Sequence, residues 1–194
     1  MTTKNARFVV VVSVMLFGGL AITSSRGELP LLRTDSAASP FRQRVAAYAQ
    51  MRQRIINDLL EIGIDPTVDD GKEFRTRLAL AIREARRQAQ PGEIFCLEVA
   101  GPVRQIVWNT LQGADDLLSE VPEVASLRVN DFYPEGEPLA TVPPSLIQRL
   151  DPLPQELQYR FLATSLILLD VDTSLIVDFI PDAFERSSLT SRMP

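Results

Sequence analysis

The spacing of apolar residues changes along the chain, and this change constrains the fold more than any other feature of the sequence. From Phe41 onward, apolar side chains recur at steps of three and four residues, which is typical of one face of a helix. The first series comprises Val45, Tyr48, Arg52, Ile55, Leu59 and Ile62. It predicts a first helix with Ser39 as its cap, Pro40 in its first turn and Gly63 as its stop.

Two further helices are predicted in the first half of the chain. The second is marked by Phe74, Leu78, Ala81, Ile82, Ala85 and Ala89. We expect Asp69 or Asp70 to cap it and the Pro-Gly pair at 91–92 to end it. The third covers residues 97–111, and Pro102 either kinks it or marks its start, because an interior proline removes a hydrogen bond and clashes with the previous turn.

The last part of the chain shows strand patterns instead. Three short runs rich in β-branched and aromatic residues lie at 158–162, 166–170 and 174–180, and such short connections favour an antiparallel meander. Residues 166–169 are apolar on both faces, which is typical of a central strand. The sequence therefore predicts the α+β class, with about three helices followed by a small three-stranded antiparallel β-meander in one domain over 41–184.

The first residues have the three parts of an export signal. Lys4 and Arg7 precede an apolar stretch at 8–22, and residues 23–25 are small enough for a signal peptidase. The stretch is shorter than the ~20 apolar residues that span a bilayer, which favours a cleaved signal peptide over 1–25. The alternative is an uncleaved signal anchor that holds the chain in the inner membrane. Both interpretations place the domain in the periplasm or outside the cell.

Two segments flank the predicted domain. Residues 26–40 contain two prolines and show no helical or strand period, which predicts a linker between the leader and the domain. Residues 185–194 are polar and predict a frayed tail. The chain thus divides into a leader, a linker, one folded domain and a tail.

The absence of histidine excludes several classes of site. Without an imidazole, the chain can form no Ser-His-Asp or Cys-His triad and no His-ligated metal site. The single cysteine, Cys96, predicts a buried inert thiol. We expect no cofactor or metal, because no phosphate-binding glycine motif or metal-ligand spacing occurs.

The charge balance also limits the partners. The formal net charge is -5, whereas proteins that bind nucleic acid usually gather a basic excess on one face, so we expect no nucleic-acid partner. The second helix does carry a basic face, which we interpret as solvated charge because acidic residues are interleaved with it. This face comprises Arg75, Arg83, Arg86 and Arg87.

Two acidic groups are candidates for a functional site. The first lies in a stretch of aromatic and turn-forming residues, where we predict a surface loop that binds a partner. Its predicted binding residues are Asp131, Phe132, Tyr133 and Glu135. The second group comprises Asp170, Asp172 and Asp178. It could bind calcium or supply a general acid and base, but it lacks the glycine and final glutamate of a calcium loop, which favours ordinary turn chemistry.

Two stretches in the second half of the chain carry a resemblance. They are RVNDFYPEGEPLATVPPSLIQRLDPLPQELQYRF and LILLDVDTSLIVDFIPDAF. Together with QAQPGEIF in the helical half, they make residues 42–182 similar to a family of uncharacterised exported bacterial proteins. The resemblance implies export and an order of helices before hairpins, and it implies no activity. The chain departs from the family pattern at Leu162-Ala163 and at Cys96.

Two functions from different classes remain open. The favoured one is a non-catalytic exported module that binds a protein or another envelope component, through the loop at 132–133 or through the edge of the sheet. Contact with the membrane is then expected only through an uncleaved N-terminal segment. The alternative is a histidine-free hydrolase of an envelope polymer, which needs two carboxylates about 5 to 10 Å apart in a cleft.

The leader interpretation predicts that a reporter fused after Pro194 is exported. Alkaline phosphatase is a suitable reporter, because its disulfides form only in an oxidising compartment. The fusion should be active in intact bacterial cells, and deletion of residues 2–25 should remove most of the activity per unit of fusion protein, measured by immunoblot. Equal activity with and without residues 2–25 would show that the apolar stretch is not an export signal.

Overall fold

A computed structural model of the chain describes residues 39–112, 118 and 120–184, apart from the side chains of 69 and 70. The α-helices and strands with defined bounds in these ranges are, in chain order, α1 (Pro40–Glu61), α2 (Lys72–Ala85), α3 (Leu97–Leu111), α4 (Pro144–Ile147), β1 (Leu157–Leu162), β2 (Ser165–Asp170) and β3 (Leu175–Ile180). The predicted α+β class and β-meander are confirmed. The predicted leader, the linker up to residue 38 and the predicted tail lie outside the described residues.

The first helix begins and ends where the sequence predicts. The Ser39 side chain accepts a hydrogen bond from the backbone N–H of Arg42 at 3.3 Å, as an N-cap residue does. Past the other end, Gly63 has a φ of +82°, a conformation that glycine adopts without steric cost. Ile62 differs from the prediction, because it lies beyond the last turn of α1 and is 72% exposed.

The start of the second helix differs from the prediction. Residues 68–71 form a short 3₁₀ turn, and the residue before Lys72 is Gly71 rather than an aspartate cap. Gly71 has a φ of +70°, and a Cβ at this position would lie 2.7 Å from the carbonyl oxygen of Pro66. A glycine is therefore required to join the two helices, both for its backbone conformation and for the close approach. The helix ends at Ala85, so Ala89 lies outside it.

The third helix resolves the alternatives left open for Pro102. It begins at Leu97, after Cys96, and Pro102 lies inside it. Because proline has no N–H, the carbonyl of Glu98 loses its partner four residues later. None of the helices in the described ranges has both the length and the apolar content required to cross a bilayer.

The sheet has the strand order β1-β2-β3, with β2 in the centre as predicted. Its antiparallel pairing contains one bulge. Leu168 pairs with Asp178 and Leu169 pairs with Ile176, which leaves Val177 as an extra residue in β3. A bulge disrupts the ladder locally and frees backbone groups for other partners.

Both faces of the sheet are covered, which explains why β2 and β3 are buried along their whole length. On the helical side, Phe41 of α1 and Phe95 stack with ring centroids 5.4 Å apart, and Tyr159 of β1 lies 6.4 Å from each. The opposite face forms a second apolar cluster, which is covered by the segment at 124–141 that precedes α4 and β1. Its members are Tyr133, Leu162, Ile167, Leu169, Ile176 and Phe179, with Val124, Leu127 and Val129 packed against them.

The same segment also covers part of each sheet edge. Phe132 forms a bridge to Leu175 of β3, and Thr141 forms a bridge to Arg160 of β1. Beside the first bridge, the N–H of Tyr133 donates to the carbonyl of Ser174 at 2.8 Å. Unpaired edges are sites of unwanted strand addition, and the chain partly satisfies its own edges here.

Asp178 of β3 holds the loop between α2 and α3 against the sheet. Its carboxylate is fully buried and accepts backbone N–H groups from Gly92 at 2.8 Å, Ile94 at 2.7 Å and Phe95 at 2.8 Å. Its own neighbour Phe179 supplies a fourth N–H at 2.9 Å. Converging backbone N–H groups of this kind form an anion-binding concavity, which here binds a side chain of the same molecule.

The substitution Asp178→Asn should lower the free energy of unfolding by about 2 to 4 kcal/mol, because the amide nitrogen faces N–H donors that then lack an acceptor. Urea unfolding followed by circular dichroism measures the change. Asp182→Asn is the matched control. Because Asp182 is exposed, this substitution should lower the free energy of unfolding by less than about 0.5 kcal/mol. Equal effects of the two substitutions would show that the loop does not depend on the buried carboxylate.

Candidate functional site

Asp170, at the end of β2, is the centre of a buried polar cluster. One carboxylate oxygen accepts the Tyr48 hydroxyl at 2.8 Å and Nε of Arg52 at 2.8 Å. The other accepts the backbone N–H and the hydroxyl of Thr173, at 3.1 and 2.8 Å. Arg52 also pairs with the exposed carboxylate of Asp172. These contacts join α1 to the sheet and leave Asp170 surrounded by donors.

A sequence signal for this cluster lies in the first apolar series. Tyr48 and Arg52 are four residues apart, so they project from the same face of α1 as the apolar residues around them. An arginine on such a face is buried only where a carboxylate meets it, and Arg52 is 7% exposed. Burial, followed by the neighbouring Asp170 carboxylate, raises the pKa of Tyr48 well above its usual range.

The three aspartates of the second candidate group do not form one site, because Asp178 has different partners from Asp170 and Asp172. Asp170 and Asp172 bind α1, whereas Asp178 binds the loop between α2 and α3. Within the part of the chain that the structure describes, no group of three or more Asp, Glu, Cys or His side chains could hold a metal ion. The bond from the Thr173 N–H to Asp170 is the turn chemistry that the sequence favours.

The four predicted binding residues occupy different environments. Tyr133 is buried and donates its hydroxyl to the carbonyl of Pro138 at 2.7 Å, which closes the loop. Phe132 is 46% exposed, and the guanidinium carbon of Arg83 lies 5.3 Å from its ring centroid. Asp131 and Glu135 are exposed beside it. Phe132 and the two carboxylates are therefore available to a partner, whereas Tyr133 supports the loop.

A pocket of about 340 Å³ lies beside this loop, between α1, the end of α2 and the segment before α3. The sequence does not predict this pocket, because its residues come from three separate parts of the chain. It is lined by Arg44, Tyr48, Met51, Arg86, Glu93 and Ile94.

Arg86 forms the fixed side of this pocket. Its guanidinium donates to the Val177 carbonyl at 2.9 Å and to Oδ1 of Asn130 at 3.2 Å, and it lies 5.3 Å from the Tyr48 ring centroid. It also pairs with Glu93 at 3.4 Å. The Val177 carbonyl belongs to the bulge in β3, so the arginine stabilises that irregularity.

The interpretation of Arg86 as solvated charge is wrong, because its side chain is only 10% exposed. The spacing of Leu78, Ile82 and Arg86 gives a signal, since steps of four residues place all three on the buried face of α2 and its continuation. Arg87, by contrast, is 70% exposed, as the sequence predicts.

A second pocket, of about 350 Å³, lies between α3 and the residues that follow β3. Its lining includes Trp108, Arg104 and Asp182. Each of the two pockets thus contains one carboxylate, Glu93 in the first and Asp182 in the second. Neither pocket offers the pair of carboxylates that the hydrolase interpretation requires.

The cysteine offers no alternative nucleophile. Cys96 is buried, as predicted, and burial raises the pKa of its thiol. A raised pKa keeps the thiol protonated, and the thiolate is the reactive form.

No protein-family model, curated protein or solved structure matches the chain.

We expect the two buried tyrosines, Tyr48 and Tyr159, to make the domain less stable at alkaline pH. Burial raises the pKa of both Tyr48 and Tyr159, so ionisation above about pH 10, the value for an unfolded chain, favours the unfolded state. The free energy of unfolding should be insensitive to these groups below that pH and should fall as the pH rises further. Urea unfolding at a series of pH values between about 8 and 11 measures this decline.

The substitution Tyr48→Phe isolates the contribution of this tyrosine to the pH dependence of the free energy of unfolding. It should cost about 1 to 3 kcal/mol at neutral pH, because Asp170 loses a donor, but it should make the alkaline decline shallower. An unchanged slope would show that Tyr48 ionises equally easily in the folded and unfolded chain.

Proposed function

We propose that the domain is a non-catalytic binding module of the exported compartment, and that it contacts a protein or another envelope component through the surface formed by Phe132 and Arg83. The observation that carries this proposal is the exposed Phe132 ring, which is placed at the sheet edge by backbone pairing on both sides. Export is part of the proposal, supported by the basic start and the apolar stretch at 8–22.

The fixed backbone around Phe132 supports a binding role. The N–H of Asn130 donates to the Ile176 carbonyl at 2.8 Å, and the N–H of Tyr133 donates to the Ser174 carbonyl at 2.8 Å. The backbone that carries the aromatic ring is therefore fixed before a partner arrives, which reduces the entropy that binding costs. Aromatic residues and arginines supply most of the binding energy in protein interfaces, and this surface contains both.

The exposed carboxylates beside Phe132 add a polar border to this surface. Asp131 and Glu135 are exposed and lie one and three residues from Phe132 in the chain, and the guanidinium of Arg83 lies over the ring. A border of this kind selects partners by charge complementarity and contributes less to affinity than the central aromatic group.

The other proposed mode, strand addition at a sheet edge, has less support. Phe132 already bridges β3 at Leu175, and Thr141 bridges β1 at Arg160. A partner strand would have to displace these segments at the same positions. The side chain of Phe132 is thus a better candidate than the backbone beneath it.

Photo-crosslinking in the cells that produce the protein tests this surface. Benzoylphenylalanine replaces Phe132 in one variant of the full chain and Trp108 in a control variant, since these rings are 46% and 45% exposed. Illumination should give a defined adduct from position 132, identified by mass spectrometry, and little or none from position 108. An adduct from position 108 alone, or from neither position, would contradict the proposal.

A further inference from the structure

We infer that the pocket between Arg44 and Arg86 binds a carboxylate group that is attached to an apolar group, such as the C-terminal end of a peptide or an N-acylated amino acid. This inference goes beyond the proposed contact at Phe132, because it concerns a small-ligand site built from α1, the end of α2 and the segment before α3. It does not depend on Phe132.

The charges of the pocket favour a ligand with a single negative charge. The lining contains two arginines and one acidic residue, Glu93, so it carries one positive charge in excess. Both terminal nitrogens of Arg86 already donate within the protein, so Arg86 contributes mainly its charge, whereas the bond described for Arg44 uses one nitrogen of a planar group with five N–H donors. A doubly charged group such as a phosphate would leave a negative charge uncompensated beside Glu93.

The pocket walls are fixed without a ligand. Arg86 is bound to the bulge carbonyl of Val177 and to Asn130, and it rests on the Tyr48 ring. Arg44 donates to the backbone carbonyl of Glu93. A site whose groups are already held in place loses little conformational entropy when a ligand binds.

Asp178 of β3 fixes the pocket wall that contains Glu93. The residues on either side of Glu93 donate their backbone N–H groups to the buried carboxylate of Asp178, Gly92 at 2.8 Å and Ile94 at 2.7 Å. The position of Glu93 and of its carbonyl group is therefore set by β3, and Arg44 is positioned through that carbonyl.

The rest of the lining is apolar. Met51 and Ile94 lie in the pocket with the alanines Ala47 and Ala85. A methionine adapts its shape to an aliphatic group, and small alanines leave the room that such a group needs. The volume of about 340 Å³ falls within the range of small-molecule sites. A carboxylate next to an aliphatic side chain matches this combination of walls.

Calorimetric titration of the full chain, kept soluble in mild detergent, tests the inference with N-acetyl-leucine as the probe and N-acetyl-leucine amide as its uncharged control. The acid should bind at least about tenfold more tightly than the amide, because only the acid offers a carboxylate to the arginines. Equal binding of the two compounds, or binding of neither, would overturn the inference.

Two alanines of α1 provide matched variants. Ala47 lines the pocket and Ala46 does not, both are exposed, and leucine forms helices nearly as well as alanine does. Ala47→Leu should weaken binding of the acid by about tenfold or more by filling the pocket, whereas Ala46→Leu should leave it unchanged. Both variants should retain the melting temperature, so loss of binding with Ala47→Leu identifies the pocket. Equal binding by the two variants would overturn the assignment.

A peptide comparison distinguishes the two sources of the carboxylate. An acetylated peptide that ends in leucine is titrated with a free C-terminus and with an amidated one. Binding of the free peptide as tightly as N-acetyl-leucine would identify a polypeptide end as the ligand class. Binding of N-acetyl-leucine alone would identify a free small acid, and both results support the carboxylate site.

Discussion

Two buried carboxylates on the sheet, Asp170 and Asp178, hold the helical half of the domain in place. Asp170 binds Tyr48 and Arg52 of α1, and Asp178 binds the backbone of the segment before α3. A buried carboxylate is tolerated only when donors surround it, so the positions of these helices and of the loop follow from the requirement to satisfy two charges.

The surface features depend on these internal contacts. Arg86 reaches its position because the bulge in β3 leaves the Val177 carbonyl available and the Tyr48 ring lies beneath it. The same arginine meets Asn130, whose segment goes on to place Phe132 at the sheet edge. The pocket and the exposed aromatic ring are thus two outer parts of one connected set of contacts.

The sequence predicts the elements well because helices and short hairpins are local patterns. Ser39, Gly63 and the central β2 follow from spacing and cap chemistry. It does not predict the pocket, since Arg44, Arg86 and Glu93 meet only through the tertiary fold. It also does not predict the left-handed Gly71, which depends on the exact path of a short turn that brings it close to Pro66, or the bulge at Val177, which depends on the pairing of β3 with β2. The sequence predicts a surface loop around Phe132, but the burial of Tyr133 within it depends on the sheet face beneath.

The loop at 92–95 is complete only when Asp178 is present, and this aspartate lies more than 80 residues later in the chain. During synthesis, the three long helices therefore emerge before the carboxylate that binds the loop between α2 and α3. This loop lacks its partner until β3 has been made. For the export proposed above, such late completion is compatible with threading the chain through a narrow translocation channel.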